Sequence, residues 1–318
     1  MAFRIATARL MNSFPRLKRG CAALVGVSAV ATLSLFSSPA LAGDPFRPGN
    51  EYGIGPDTEA AFEAFFKAGN YTLAEAAIES ALVSESDEPL VHSLAASMAY
   101  LDGDHDKMAE HAELTKSAAA ALMDDSPLRG HLYSAVGIFL EGSHMMTTQG
   151  VARSTPAALG MLQQVFGHLD EAERIDKTDP ELNLVQGFMD LMLAVNLPFS
   201  NPAETIERLA TYSSPDYLTY RGIALGYRDL NQIPEAMAAV EQALQAAPEN
   251  PELFYLRAQL QRRQEQTTAS LASFDKALDY AAQLPPGIAR MIAKERCRTS
   301  GGASDVCETQ ADDFVESL

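Results

Sequence analysis

The sequence predicts an all-α solenoid of about five antiparallel helix pairs with a C-terminal capping helix. Three observations carry this. Matching Gly69 in KAGNYTLAEAAIESAL (67–82) to Gly103 in AYLDGDHDKMAEHAEL (99–114) gives a lag of 34 residues, which sets Asn70 on Asp104, Ala74 on Met108 and Ile78 on Ala112. The same lag near the other end sets Tyr220 on Phe254, Ala224 on Ala258, Ala236 on Ser270, Val240 on Phe274 and Ala243 on Ala277. Small residues at 224, 236 and 243 let two antiparallel helices approach closely, while Tyr220, Tyr227 and Val240 fill the space between them. A fixed period of 34 is that of a helix–turn–helix repeat.

The elements follow in order. Arg4, Arg9, Arg16, Lys18 and Arg19 open the chain with no acid in residues 1–20, and an uncharged, mainly apolar run from Cys21 to Ser37 leads into SPALA. A basic region, an apolar region and small residues at Ala40 and Ala42 compose a secretory leader, so residues 1–42 are expected to be a signal peptide cleaved between Ala42 and Gly43. The competing reading is an uncleaved anchor, for which the run is short. Cys21 opens the apolar run instead of following it, which is the wrong place for lipidation. Residues 43–54 are expected to form a flexible mature N-terminus, 55–284 the repeat domain, and 285–318 a capping helix, from PPGIARMIAKERCR, with an acidic tail.

Within the repeat domain the middle is irregular. PLRGHLYSAVGIFLE (127–141) reads as a first helix with Gly137 at its small position, and Ala172 is the matching small residue of a second helix. Their spacing of 35 residues, against 19 in a regular repeat, leaves about 16 extra residues, assigned to an insertion at 142–157. A further pair at 180–213 is interrupted by Pro198 and Pro202. Pro248 ends a second helix and starts the next connection.

Export would remove the five basic residues of the leader, leaving 19 Lys and Arg against 42 Asp and Glu, a formal charge of −23. That balance argues against nucleic acid and anionic membrane surfaces as broad partners, and no other stretch is apolar enough to span a membrane. The expected location is the periplasm or an equivalent lumen. There the remaining cysteines, Cys297 and Cys307, are candidates for a disulfide, with two free thiols as the alternative.

The repeats resemble the tetratricopeptide repeat family, strongly over 217–284 and recognisably over 55–122. The leader and irregular array also resemble exported repeat proteins of photosynthetic bacteria. The resemblance implies a right-handed superhelix whose concave groove, lined by the first helix of each repeat, binds protein or extended peptide without a cofactor. Carried over residue by residue, the groove would present Leu218, Arg221, Leu225 and Arg228 from one repeat and Glu252, Tyr255, Gln259 and Arg262 from the next. At the N-terminal end it would present Glu59, Glu63 and Phe66, then Leu90, Ser93, Ser97 and Tyr100. An acidic end and a basic end would set the direction of an extended partner, and arginine forks suit its carboxylates. The lysine and asparagine clamp of the chaperone-tail-binding subgroup is missing, so that partner is not implied.

One stretch competes with this reading. In LDGDHDKMAEHAE (101–113), Asp102, Asp104, Asp106, Glu110 and Glu113 occupy ligand positions of a calcium loop. Position 6 needs glycine for a sharp turn, however, and is Lys107 here. In the repeat reading Gly103 makes the turn, Asp104 or Asp106 caps the next helix, and a helix over 106–113 carries Glu113 about 10 Å away from the turn. No phosphate loop, nucleophile elbow, H-E-x-x-H or zinc-spaced cysteine pair occurs, so no enzymatic signature is found. The six histidines make no i, i+3 or i, i+4 pair. His144, Met145 and Met146 could hold copper, and a periplasmic metal- or small-solute-binding protein using 102–113 or 142–157 is the alternative function.

Overall fold

In seven of the helices described below the first residue is proline: Pro56, Pro89, Pro127, Pro180, Pro202, Pro251 and Pro286. Proline suits that position because its φ is already helical and the N–H it lacks would have had no partner. The computed structural model describes residues 43–47, 49, 52–194 and 202–318; the expected leader, with Cys21, Ala40 and Ala42, lies outside the described residues, as does Pro198. The pairs are α1 (Pro56–Phe62, running on as a π turn Glu63–Lys67) with α2 (Tyr71–Ser84), α3 (Pro89–Asp102) with α4 (His105–Ala121), α5 (Pro127–Gln149) with α6 (Val151–Ile175), and α7 (Pro180–Ala194) with α8 (Pro202–Tyr212). Then come α9 (Asp216–Asp229) with α10 (Ile233–Ala246), α11 (Pro251–Arg263) with α12 (Thr267–Leu278), and α13 (Pro286–Thr299) with α14 (Ser304–Glu316). No strand occurs among the described residues. The fold is the helical solenoid that the lag predicts, with six pairs before residue 284 where about five were expected.

The 34-residue lag is visible as geometry. Gly69 and Gly103 both take a left-handed φ, +60° and +72°. One residue later Asn70 accepts the Leu73 N–H at 3.0 Å and Asp104 accepts the Lys107 N–H at 3.1 Å. Each side chain thereby satisfies one of the four N–H groups that a helix start leaves without an internal partner. Ala74 and Met108, and Ile78 and Ala112, paired by the lag, are all buried. Ala224, Ala236, Ala243, Ala258 and Ala277 have no exposed surface, the close approach that small residues permit.

Three expectations are corrected. The extra residues of 142–157 do not form a separate insertion: they lengthen α5 and α6 by about two turns each, and Gly150, at φ +83°, makes the reversal. Within the extension of α5 the hydroxyls of Ser143, Thr147 and Thr148 donate to the carbonyls of Phe139, Ser143 and His144, so polar residues run along the helix without leaving it. The acidic tail is a helix, α14, whose Cys307 and Ala311, one turn apart, are buried. A Cys297–Cys307 disulfide ties it to α13, and a Cβ on Gly302 would stand 2.5 and 2.6 Å from the two sulfurs, so the bridge occupies the space a side chain would need. Finally, the segment expected to be flexible is anchored: Phe46 and Ile54 are 3% and 0% exposed, and the Phe46 ring meets Phe62 edge-on at 4.8 Å.

The array also curls back on itself. Asn250, at the start of α11, donates to the carbonyls of Phe66 and Lys67 at 2.9 and 3.1 Å. Tyr71 donates to the Glu252 carboxylate, and Gln283 reaches the Ala68 carbonyl. A Cβ on Gly69 would lie 2.9 Å from the Pro251 ring, so the first turn of the array is seated against the start of the sixth pair.

Candidate interaction surface

This closure decides what the predicted groove residues do. Leu218, Arg221, Leu225, Glu252 and Tyr255 are each at most 8% exposed. Arg221 and Glu252 are covered from the first helix pair by Tyr71, and none of the five lines an open groove, which corrects the expectation for five of the eight positions. Arg221 forms an ion pair with Glu252, the same carboxylate that Tyr71 reaches from α2. Burial pushes the Tyr71 hydroxyl up to about 12, keeping it a donor at neutral pH. At the expected acidic end, Glu59 accepts the backbone N–H of Gly43 at 2.9 Å, and Glu63 pairs with Lys67 at 2.7 Å. Ser93 and Ser97 turn their hydroxyls back onto Leu90 and Ser93 carbonyls of their own helix. Phe66 packs on Phe62 and Phe65, and Leu90 is buried.

The other three are less deeply covered, and they are aligned: Arg228, with 15% of its side chain exposed and paired with Asp229 at 3.2 Å, the half-buried Gln259, and Arg262. Arg228 of α9 contacts the Gln259 side chain of α11 at 3.4 Å, Gln259 donates to Glu295 of α13 at 3.3 Å, and Arg262 meets Glu295 at 3.4 Å with 42% of its side chain exposed. The strip crosses three successive first helices. Its bonds are at the long end of the range for hydrogen bonds and ion pairs.

Sequence reasoning missed a second feature of the inner face. Glu181, fully buried at the start of α7, accepts from Arg129 at 3.1 Å, from Arg47 at 3.0 Å and from Tyr133. Arg129 reaches Glu88 with two nitrogens at 2.8 and 3.0 Å, and Arg47 also holds Asp179 at 2.6 Å and Asp44 at 2.7 Å, its guanidinium 4.3 Å over the Tyr52 ring. Burial alone would lift the Glu181 carboxyl, but Arg129 and Arg47 hold it below the ordinary glutamate range. Burial keeps Asp179 above its ordinary value despite Arg47. A signal existed: Asp179-Pro-Glu181-Leu and Asn250-Pro-Glu252-Leu share a pattern, and in both the buried glutamate receives one arginine from the preceding first helix and one tyrosine. Charge occurs on this face as paired, hydrogen-bonded groups, the form in which burial is tolerated.

The acidic stretch 101–113 folds as the repeat reading requires, with Asp102 ending α3, Gly103 turning, and α4 already begun at His105. Among the described residues no group of three His, Cys, Asp or Glu comes together to hold a metal ion. The six histidines, unpaired along the sequence, are paired in space. His92 and His111 face each other through Nδ1 atoms 3.5 Å apart, His131 and His168 through Nδ1 atoms 3.1 Å apart, and His105 meets His144 with ring centres 6.5 Å apart. His144 and Met145 line a cleft of about 600 Å³ between the extended parts of α5 and α6, with Glu141, Met161 and Gln164. No helix of the described residues is long and apolar enough to cross a membrane.

The lag, the paired helices and the buried small residues define a helical-repeat protein. Residues 221–286 match the family model described as tetratricopeptide repeat, from within α9 to the start of α13. Among solved structures it is similar to the C-terminal part of a TPR repeat-containing protein from Cytophaga hutchinsonii, at 15% identity over 82% of this chain and 95% of that one, with a TM-score of 0.38. It is similar also to a thermophilic TPR protein of Thermus thermophilus, at 17% identity over 77% of this chain and 97% of that one, TM-score 0.30. A third is the TPR2AB domain of yeast Sti1 in its complex with pHSP90, at 15% identity over 80% of this chain and 97% of that one, TM-score 0.29. No curated protein matches the chain. With scores this low, the curvature of the array is read from its own contacts.

Proposed function

We propose that the protein is an exported, non-catalytic scaffold that binds a protein or extended peptide along the Arg228–Gln259–Arg262 strip. The observation that carries this is the accessible part of the predicted groove: three first helices present a continuous polar row whose internal contacts, at 3.3–3.4 Å, are weak enough to exchange for a partner's carboxylates and backbone. The buried part of the groove supports the strip as a rigid base, since Arg221, Glu252 and Tyr71 satisfy one another. Export is supported by the leader sequence and by the Cys297–Cys307 bridge, which suits an oxidising compartment. Crosslinking with mass spectrometry in the native envelope tests the reading. Crosslinked partner peptides on α9, α11 and α13 that disappear in the Arg228→Ala, Arg262→Ala double variant are expected; a partner held equally by the double variant overturns it.

A further inference from the structure

The inner face of the array is occupied by the chain's own segment following the expected cleavage point. Asp44, Phe46, Arg47 and Ile54 are buried, and Arg47 is bound to residues 132 and 134 positions downstream. At the head of this segment the Gly43 nitrogen points at the Glu59 carboxylate of α1, 2.9 Å away. In the unprocessed chain that nitrogen is a neutral amide. Hydrolysis of the Ala42–Gly43 bond by a signal-peptidase-class protease places the hydroxyl of water on the Ala42 carbonyl carbon and its hydrogen on the Gly43 nitrogen, which takes up a proton at neutral pH.

We propose that the α-ammonium group created at Gly43 is an intramolecular ligand of the array: it pairs with Glu59 and locks segment 43–54 across the inner face, so that leader removal completes the fold. The proposal rests on the export reading. Two independent observations converge on one atom, since the small-residue pattern of SPALA sets the cut at this bond and the structure sets the resulting amine against a half-buried acid. An ammonium donor to a carboxylate is stronger than an amide donor to the same group, so a neutral hydrogen bond becomes an ion pair without any rearrangement of the chain. The surrounding groups do not compete for Glu59. Glu63 of α1 is engaged by Lys67, Asp44 by Arg47, and burial beside Glu63 and Glu59 holds Tyr217 of α9 protonated throughout the range in which an amine titrates.

An α-amine titrates near 7.7–8.0 when unperturbed; paired with Glu59 its folded value is raised. The stability it supplies is therefore present below the unfolded value and lost as pH rises through the folded one. The experiment makes the full chain in a secreting host, reads the N-terminus by mass spectrometry, and follows Tm from pH 7 to pH 10 for the wild type, Glu59→Gln and the neighbouring control Glu63→Gln. An N-terminus at Gly43 is expected, with a wild-type Tm about 2–4 °C above that of Glu59→Gln at pH 7, a gap that closes towards pH 10, and a Glu63→Gln profile parallel to wild type. An N-terminus at Gly43 with parallel Glu59→Gln and wild-type profiles overturns the proposal and leaves export standing, as does an equal loss in both variants. An N-terminus elsewhere, or a retained leader, removes both.

Discussion

Gly69 and Gly103 allow the closure of the array to be weighed, because the sequence makes them equivalent and the structure does not. Both take a left-handed φ, +60° and +72°, in the turn between the two helices of a repeat, so alanine at either costs about 1–2 kcal/mol for placing a Cβ in that region. Beyond that strain, Gly103 has open space, with nothing within 4 Å of a Cβ. At Gly69 the Cβ would lie 2.9 Å from Pro251 and 3.1 Å from the Asn250 side-chain oxygen. Pro251 is the first residue of α11 and cannot swing aside, so relief requires the turn to lift and the two bonds from Asn250 to the Phe66 and Lys67 carbonyls to lengthen or break. At about 0.5–1.5 kcal/mol each, those bonds add about 1–3 kcal/mol. Urea unfolding followed by circular dichroism should show Gly69→Ala less stable than Gly103→Ala by that increment, with the backbone strain cancelling in the comparison. Equal midpoints and slopes for the two variants would refute the closure.

Two further predictions concern the buried charges and the histidines. Glu181→Gln keeps the shape of the side chain but removes the carboxylate shared by Arg47, Arg129 and Tyr133, and should cost about 3–5 kcal/mol at pH 7 in the same assay. Because the folded Glu181 value is depressed, its contribution holds above the ordinary value of 4.5 and fades as pH falls through the folded value, so wild type and variant should converge at low pH. Burial, and then the neighbouring ring, lower the values of His111 beside His92 and of His168 beside His131; Glu110 and Glu171 oppose this, and Lys107 adds to it at His111. The unfolded chain then binds more protons below about pH 6.5. Stability should fall between about pH 7 and pH 5.5, and a His111→Gln, His168→Gln double variant should flatten that slope in thermal unfolding; an unchanged slope would remove the pairs as its source.

What is legible in the sequence is local. The Gly69 and Gly103 turns, the Asn70 and Asp104 caps and the buried alanines repeat because each repeat meets nearly the same neighbours, and a fixed lag records that. Residues 142–157 mislead because glycine, serine, threonine and Pro156 suggest a loop, whereas hydroxyls bonded one turn back and a proline in the second turn of α6 are tolerated by a helix. In the C-terminal helix the signal is present, since Cys307, Ala311 and Phe314 recur at helical spacing within the acids. The groove residues fall on the helices expected of them, but the sum of small rotations from one pair to the next, which brings Tyr71 to Glu252, leaves no mark in any single repeat. Arg47 gives no sign of its role for the same reason, since its partners lie 132 and 134 residues away.

Asn250 changes the kind of object that the array is. An open stack tolerates one unit more or fewer, and it can fray from either end while the middle holds. Here the last regular unit reads the backbone of the first, so the number of units is fixed by the angle needed to meet. Insertion or loss of a single 34-residue unit would leave the first and sixth pairs facing past each other, and neither of those pairs can loosen alone without opening the seam. That seam binds the first six pairs into one cooperative body.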